Sequence, residues 1–204
     1  MPQVFVSSVV NAPAGQVWAM IRRFDAVAHW LPFVKSSPIE DGGVPTRVGC
    51  VRVLTQTDGE VFREILVALS DAERCYSYTF VSSPVPVRNH RTTLRVLPIT
   101  DGDCSYVEWS SRFEIAPEHE SQLVELMNRN FQAGLRNLAE KFRGLVPGRA
   151  AKSVNREMSH NPRRARRSPL PFRHSSFGIA STPAFVFLQF LAKVLFHRNL
   201  NHLK

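Results

Sequence analysis

The chain has 204 residues, 44% of them hydrophobic, enough for one sizeable core with a small appendage and too few for two full domains. Its net charge of +9 is uneven: residues 1–148 hold 15 Lys/Arg and 16 Asp/Glu, net −1, whereas residues 149–204 hold 11 Lys/Arg against Glu157 alone, net +10. The basicity belongs to the tail, so the N-terminal domain is not expected to bind nucleic acid. The three cysteines, Cys50, Cys75 and Cys104, form no Cys-x-x-Cys pair of the kind zinc and redox sites use.

These cysteines read as reduced core thiols. The N-terminus lacks the basic head and long apolar run of a secretory signal, which gives a cytoplasmic expectation. Residues 3–10, QVFVSSVV, form the first expected strand, ended by Asn11-Ala12-Pro13, where proline suits the first turn of a helix. Val17, Trp18, Ile21 and Phe24 then recur at helical spacing, and residues 26–30 read as a further turn or two before Leu31-Pro32.

From residue 34 to residue 115 the sequence predicts strands at 34–40, 47–55, 60–70, 74–82, 89–99 and 103–115. Asp41-Gly42-Gly43, Asp58-Gly59 and Asp101-Gly102 mark the turns, and Pro84 and Pro86 a longer loop. With no helix between them these strands should pair antiparallel as a meander. Pro117 opens a long helix whose apolar stripe runs Leu123, Met127, Phe131, Leu135, Leu138, Phe142. Glu118 and Glu120 sit in its first turn, Lys141 and Arg143 in its last, and Gly144 ends it. The expected fold is α+β, a bent sheet of about seven strands around the last helix, with an apolar cavity between them.

Alternation puts Cys50, Arg52 and Leu54 on one strand face, and Phe62, Glu64 and Leu66 on one face of the next. If both faces turn inward, Glu64 could take a proton from a bound carbonyl compound while Arg52 stabilises the developing oxyanion. If they turn outward, the two form an ordinary exposed ion pair worth less than ~1 kcal/mol. Trp30, Phe62, Tyr76, Tyr78, Phe80, His90, Trp109, Met127 and Phe131 have the composition of a small-molecule pocket, or of a plain core. His90 could donate a proton near neutrality. There is no Gly-x-Gly-x-x-Gly, Walker loop, His-Glu-x-x-His or Gly-x-Ser-x-Gly, so neither a cofactor nor a metal is expected.

The run Ser8-Val9-Val10-x-Ala12-Pro13-x-x-x-Val17-Trp18, with Trp30-Leu31-Pro32, Gly49-Cys50-Val51-Arg52, Arg63-Glu64, Tyr76-x-Tyr78 and Trp109, resembles the polyketide cyclase/dehydrase and lipid-transport family. This is the SRPBCC, Bet v 1-like and START-related helix-grip superfamily. The resemblance implies a helix-grip domain over residues 1–144 and a small hydrophobic ligand, such as a polyketide or lipid. The central segment is similar to the lachrymatory-factor synthases, which implies an arginine–glutamate pair in the cavity at Arg52 and Glu64 and activity without a cofactor. His90 stands where a tyrosine often follows the proline-bearing loop.

Beyond Gly144, residues 145–182 are rich in Pro, Ser and Arg and read as a disordered basic linker. Residues 183–204 read as an apolar, amphipathic helix, and residues 163–198 together suit contact with a membrane surface. Three functions stay open: a carrier of a hydrophobic metabolite, a cofactor-free cyclase or dehydratase, and a peripheral membrane or nucleic-acid adaptor working through the basic tail. A tail with no function of its own is also compatible with the sequence.

Overall fold

The computed structural model describes residues 1–143. The expected linker over 145–182, the helix over 183–204 and the membrane contact over 163–198 lie outside the described residues.

Strand β1 (Gln3–Val10) buries Val4, Val6 and Val10 and exposes Phe5 and Val9, the alternation of a strand with one wet face. Helix α1 (Ala14–Ile21) follows Pro13 and buries Ala14, Val17, Trp18 and Ile21. Arg23 then takes an extended backbone, so Phe24 does not continue α1 but opens a 3-10 helix, Phe24–His29. The Trp18 indole donates to Asp71 Oδ1 at 2.7 Å, and Arg22 holds both oxygens of the same carboxylate, which fastens α1 to the sheet.

Strands β2 (Val34–Ser36), β3 (Val51–Gln56), β4 (Val61–Ser70), β5 (Cys75–Ser82), β6 (Arg88–Ile99) and β7 (Cys104–Glu114) form one antiparallel sheet with β1, in the order β1-β7-β6-β5-β4-β3-β2. The meander is as expected, but two strands are shorter. The strand expected over 34–40 stops at Ser36, because Pro38 has no N–H for a ladder and Asp41 and Gly42 adopt positive φ in a 3-10 turn. The strand expected from residue 47 starts at Val51, after a turn in which Cys50 N–H donates to Arg47 O and Gly49 sits at φ 94°. Register shifts near Arg63, Leu66 and Arg88 interrupt the ladders, and such bulges increase the local bend.

Helix α2 (Pro117–Lys141) lies in the trough of this bent sheet, with Glu118 and Glu120 in its first turn and Lys141 in its last. It buries Leu123, Leu126, Phe131, Gly134, Leu135 and Leu138, while Met127 is half-buried, so Leu126 takes the place expected for Met127 in the stripe. Gly134 is where the helix comes closest to its neighbours. A methyl there would overlap Leu31 and meet Trp109 at 3.0 Å and Trp30 at 3.4 Å. The three cysteines are free thiols and half-buried, nearer the surface than the core position expected. Among the described residues no helix is long and apolar enough to cross a membrane.

Candidate functional site

β3 and β4 pair so that Arg52 stands opposite Glu64 and Leu54 opposite Phe62. All four side chains face the concave side of the sheet, with Arg52 1% and Glu64 5% exposed. The solvent-facing arrangement therefore does not occur. Arg52 Nε donates to Glu64 Oε2 at 2.6 Å, and its Nη1 donates to the Phe24 carbonyl at 2.8 Å. The guanidinium carbon lies 3.9 Å from the centre of the Phe24 ring and 4.8 Å from that of Tyr78, within range of attraction between a cation and an aromatic face.

Burial alone would lower the pKa of this guanidinium, but Glu64, with Tyr76 and Tyr78, more than offsets it, and the group is held above its ordinary value. Burial in turn pushes the Tyr76 hydroxyl up to about 12, and Tyr78 higher still, so both remain neutral phenols. The pair is thus a self-neutralised dipole in an apolar wall. Glu64 Oε2 is the oxygen engaged by Arg52.

Beside this pair lies a cavity of about 100 Å³. Arg52, Glu64, Phe62, Tyr78, Phe80, His90, Trp109, Met127 and Phe131 all line it. Trp30 and Tyr76 do not, and both are core residues instead. Trp30 packs on the far side of Trp109, with ring centres 5.3 Å apart, and receives Asn137 Nδ2 on its carbonyl at 2.8 Å. Tyr76 lies further along β5 than Tyr78, where Trp18 and Phe24 cover it at ring distances of 6.1 and 6.0 Å. The short helices fill that end of the trough.

The walls are aromatic stacks. Trp109 lies flat on Phe131, centres 4.0 Å apart and planes within 2°, and His90 lies on Phe80 at 3.8 Å and 12°. His90 is 7% exposed, and burial lowers its pKa to about 4, so its imidazole is neutral near pH 7. It is therefore not the proton donor expected at neutrality. Its Nε2 lies 2.8 Å from Thr92 Oγ1, whose hydroxyl donates to Ser111 Oγ at 2.8 Å, while His90 Nδ1 has no partner.

The sequence reading missed several lining residues, among them Leu31, Gln56, Val85, Thr92, Leu126 and Asn130. Gln56 and Thr92 were within reach of the same alternation, four residues after Arg52 and two after His90. Leu126 and Asn130 are one turn apart on α2, immediately before Met127 and Phe131, so a broader helical face would have included them. Leu31 and Val85 come from loops, where no periodicity points to a pocket.

Comparison with known proteins agrees with this architecture. A family model described as polyketide cyclase / dehydrase and lipid transport matches residues 1–143. Among curated proteins, the abscisic acid receptor PYL10 of Oryza sativa subsp. japonica is 29% identical over 107 residues, 48% of this chain and 50% of that protein. The chain spans half or less of the length of the curated relatives it matches. Among solved structures, XoxI from Bacillus cereus superposes with a TM-score of 0.65 at 32% identity, covering 71% of this chain and 98% of that one. A Nitrosospira multiformis protein gives 0.62 at 34% identity, with coverage of 71% and 98%. The family match across every described element, on a sheet that grips one long helix, makes this chain a member of the polyketide cyclase / dehydrase and lipid transport family.

Proposed function

We propose that the domain binds one small, largely apolar metabolite in the cavity between the sheet and α2. The observation that carries this reading is the aromatic-lined cavity of about 100 Å³ whose one cation, Arg52, is already neutralised by Glu64. An apolar cavity of ~150 Å³ takes up benzene, so the smaller space here makes a single ring, admitted with some yielding of the wall, a better match than a whole lipid. Met127, half-buried and unbranched, gives one wall that can yield to a larger ligand. Native mass spectrometry of the freshly purified full chain tests this: a retained small molecule is expected, and its loss when Trp109 or Phe131 is enlarged or removed places it in the cavity. A chain that carries nothing and takes up no ring-sized probe sinks the reading.

A second reading is favoured by the position of the buried pair in the cavity wall. Glu64 Oε1 would accept a proton from a carbon beside a ligand carbonyl, the C–H electron pair would move into the enolate, and Arg52 would stabilise the negative oxygen. No cofactor enters this step. The test is Glu64→Gln: binding of an apolar probe that survives while turnover of a carbonyl panel disappears supports catalysis. If no carbonyl compound turns over and Glu64→Gln changes nothing, the domain is a binder only. The curated relatives are named as receptors for abscisic acid, an acid by its name, and an acidic ligand is the first comparison such a binder invites.

A further inference from the structure

The hydrogen bonds around His90 fix which end of its ring faces a ligand unpaired. The Thr92 hydroxyl has one proton and spends it on Ser111 Oγ, so toward His90 it can only accept. His90 Nε2 must then carry the ring proton, and in a neutral imidazole the other nitrogen, Nδ1, is left with a bare lone pair. That nitrogen is buried and has no partner, on a ring that lines the cavity. Asn130, on the α2 wall, likewise presents a buried carbonyl oxygen, Oδ1, with no partner. Glu64 also lines the cavity, with its Oε2 taken by Arg52. Unpaired buried acceptors are costly and uncommon, and a bound group that satisfies them recovers what burial took away.

The geometry points to a ligand that is a neutral ring compound bearing hydroxyl or N–H donors, with His90 Nδ1 as the acceptor that selects for them. This rests on the cavity being a binding site, as proposed above. A carboxylate ligand is disfavoured by the same inventory. Among the described residues the cavity's single cation is Arg52, committed to Glu64 Oε2, the Phe24 carbonyl and two ring faces. An added anion could take the one unpartnered donor of the wall among the described residues, Trp109 Nε1–H, but it would also meet the Glu64 carboxylate and two lone pairs, and the burial of His90 leaves it neutral rather than available as a counter-charge. The cavity is therefore set up for an uncharged donor, although the curated relatives are named for an acid.

Phenol, toluene and benzoate have nearly the same size and differ in what they offer. Their affinities for the full chain near neutral pH, measured by calorimetry, should rank phenol as a binder and benzoate as none. In His90→Phe, which keeps a flat ring on Phe80, the phenol-to-toluene affinity ratio should fall about tenfold, the size of one hydrogen bond. Nitrogen-15 spectra of the His90 ring provide a second measurement that needs no variant. Nε2 should show the protonated shift and Nδ1 the bare one, and Nδ1 should move when phenol is added but not toluene. A protonated Nδ1, a ratio unchanged by His90→Phe, or benzoate binding as tightly as phenol overturns the inference while leaving the cavity a binding site. If none of the three probes binds, the proposed function itself falls and this inference falls with it.

Discussion

From Leu123 to Phe131, α2 roofs an apolar cavity; from Gly134 to Phe142 the same helix buries Leu135, Leu138 and Phe142 and comes close to the residues beneath it. The two halves have similar apolar composition, so burial alone does not explain the difference. In the C-terminal half, Gly134 lets the helix close onto Leu31, Trp109 and Trp30, and Asn137 hydrogen-bonds the Trp30 backbone; the space beside it is an open, mostly polar groove against β1, lined by Ser7, Ser8 and Arg136, and not an apolar cavity. In the N-terminal half the helix faces Phe62, Phe80 and His90, whose rings pack on one another, and it meets the sheet through the Trp109–Phe131 stack at one end of the cavity. A cavity survives where a fold lets two stiff aromatic walls support themselves, and it closes where a small residue allows the backbone to approach.

Arg52 sits at the boundary of these regions, touching Phe24 in the packed end and Tyr78 in the cavity. Removing one member of a buried, hydrogen-bonded pair leaves the other charge stranded. Arg52→Met should therefore cost about 3–5 kcal/mol in urea unfolding, the largest effect expected here. The double variant Arg52→Met, Glu64→Leu should recover most of that loss, since two apolar side chains strand nothing. Equal loss in the single and double variants would mean that shape, not charge, is what the pair contributes.

His90 gives the cavity half an acid sensitivity that the packed half lacks. Its folded pKa of about 4 lies below the ordinary 6.5, so between those values the unfolded chain binds a proton that the folded ring refuses. Stability present above 6.5 is lost as pH falls toward 4, by up to about 3 kcal/mol. Unfolding curves at about pH 7 and about pH 4.5 should show this decline in the wild type and a flatter one in His90→Phe. Among the described residues the ring contacts Phe80, Tyr78 and Thr92, and burial is what lowers its pKa. An equally steep decline in the variant would assign the acid sensitivity elsewhere.

Gly134→Ala tests the packed half directly. On helix propensity alone the change should stabilise by about 1 kcal/mol. Because the new methyl overlaps Leu31 and crowds Trp109, overpacking of about 1–3 kcal/mol should win, and the thermal midpoint should fall. A rise in midpoint would show that α2 has room to move and that the glycine does not hold it close.

Much of this contrast was hidden in the sequence for identifiable reasons. Alternation put Arg52 with Leu54 and Glu64 with Phe62, and the structure keeps those pairings. It could not say which face is concave, because Val51 and Val53 on the other side are also apolar. Tyr76 and Tyr78 share a period-2 pattern, and Phe24 packs on both, so nothing local tells that Trp18 will cover the first and leave the second to the cavity. The shortening of β2 was legible, since Pro38 lacks the N–H a ladder needs. The orientation of the His90 ring was not, because it depends on hydroxyls two residues away on β6 and across the sheet on β7.

The smallest effect compares the two halves of α2 by one truncation in each. Leu135→Ala opens a void in solid packing and should cost about 2–5 kcal/mol. Met127→Ala, from a half-buried side chain already bordering empty space, should cost only about 1 kcal/mol, because the removed atoms lose few contacts and the new volume joins the existing cavity. The gain should appear in binding instead: naphthalene, too large for the wild-type space, should bind Met127→Ala and not Leu135→Ala. If the two truncations cost the same and neither admits the larger ring, the cavity half of α2 is as tightly packed as the other, and the distinction between them fails.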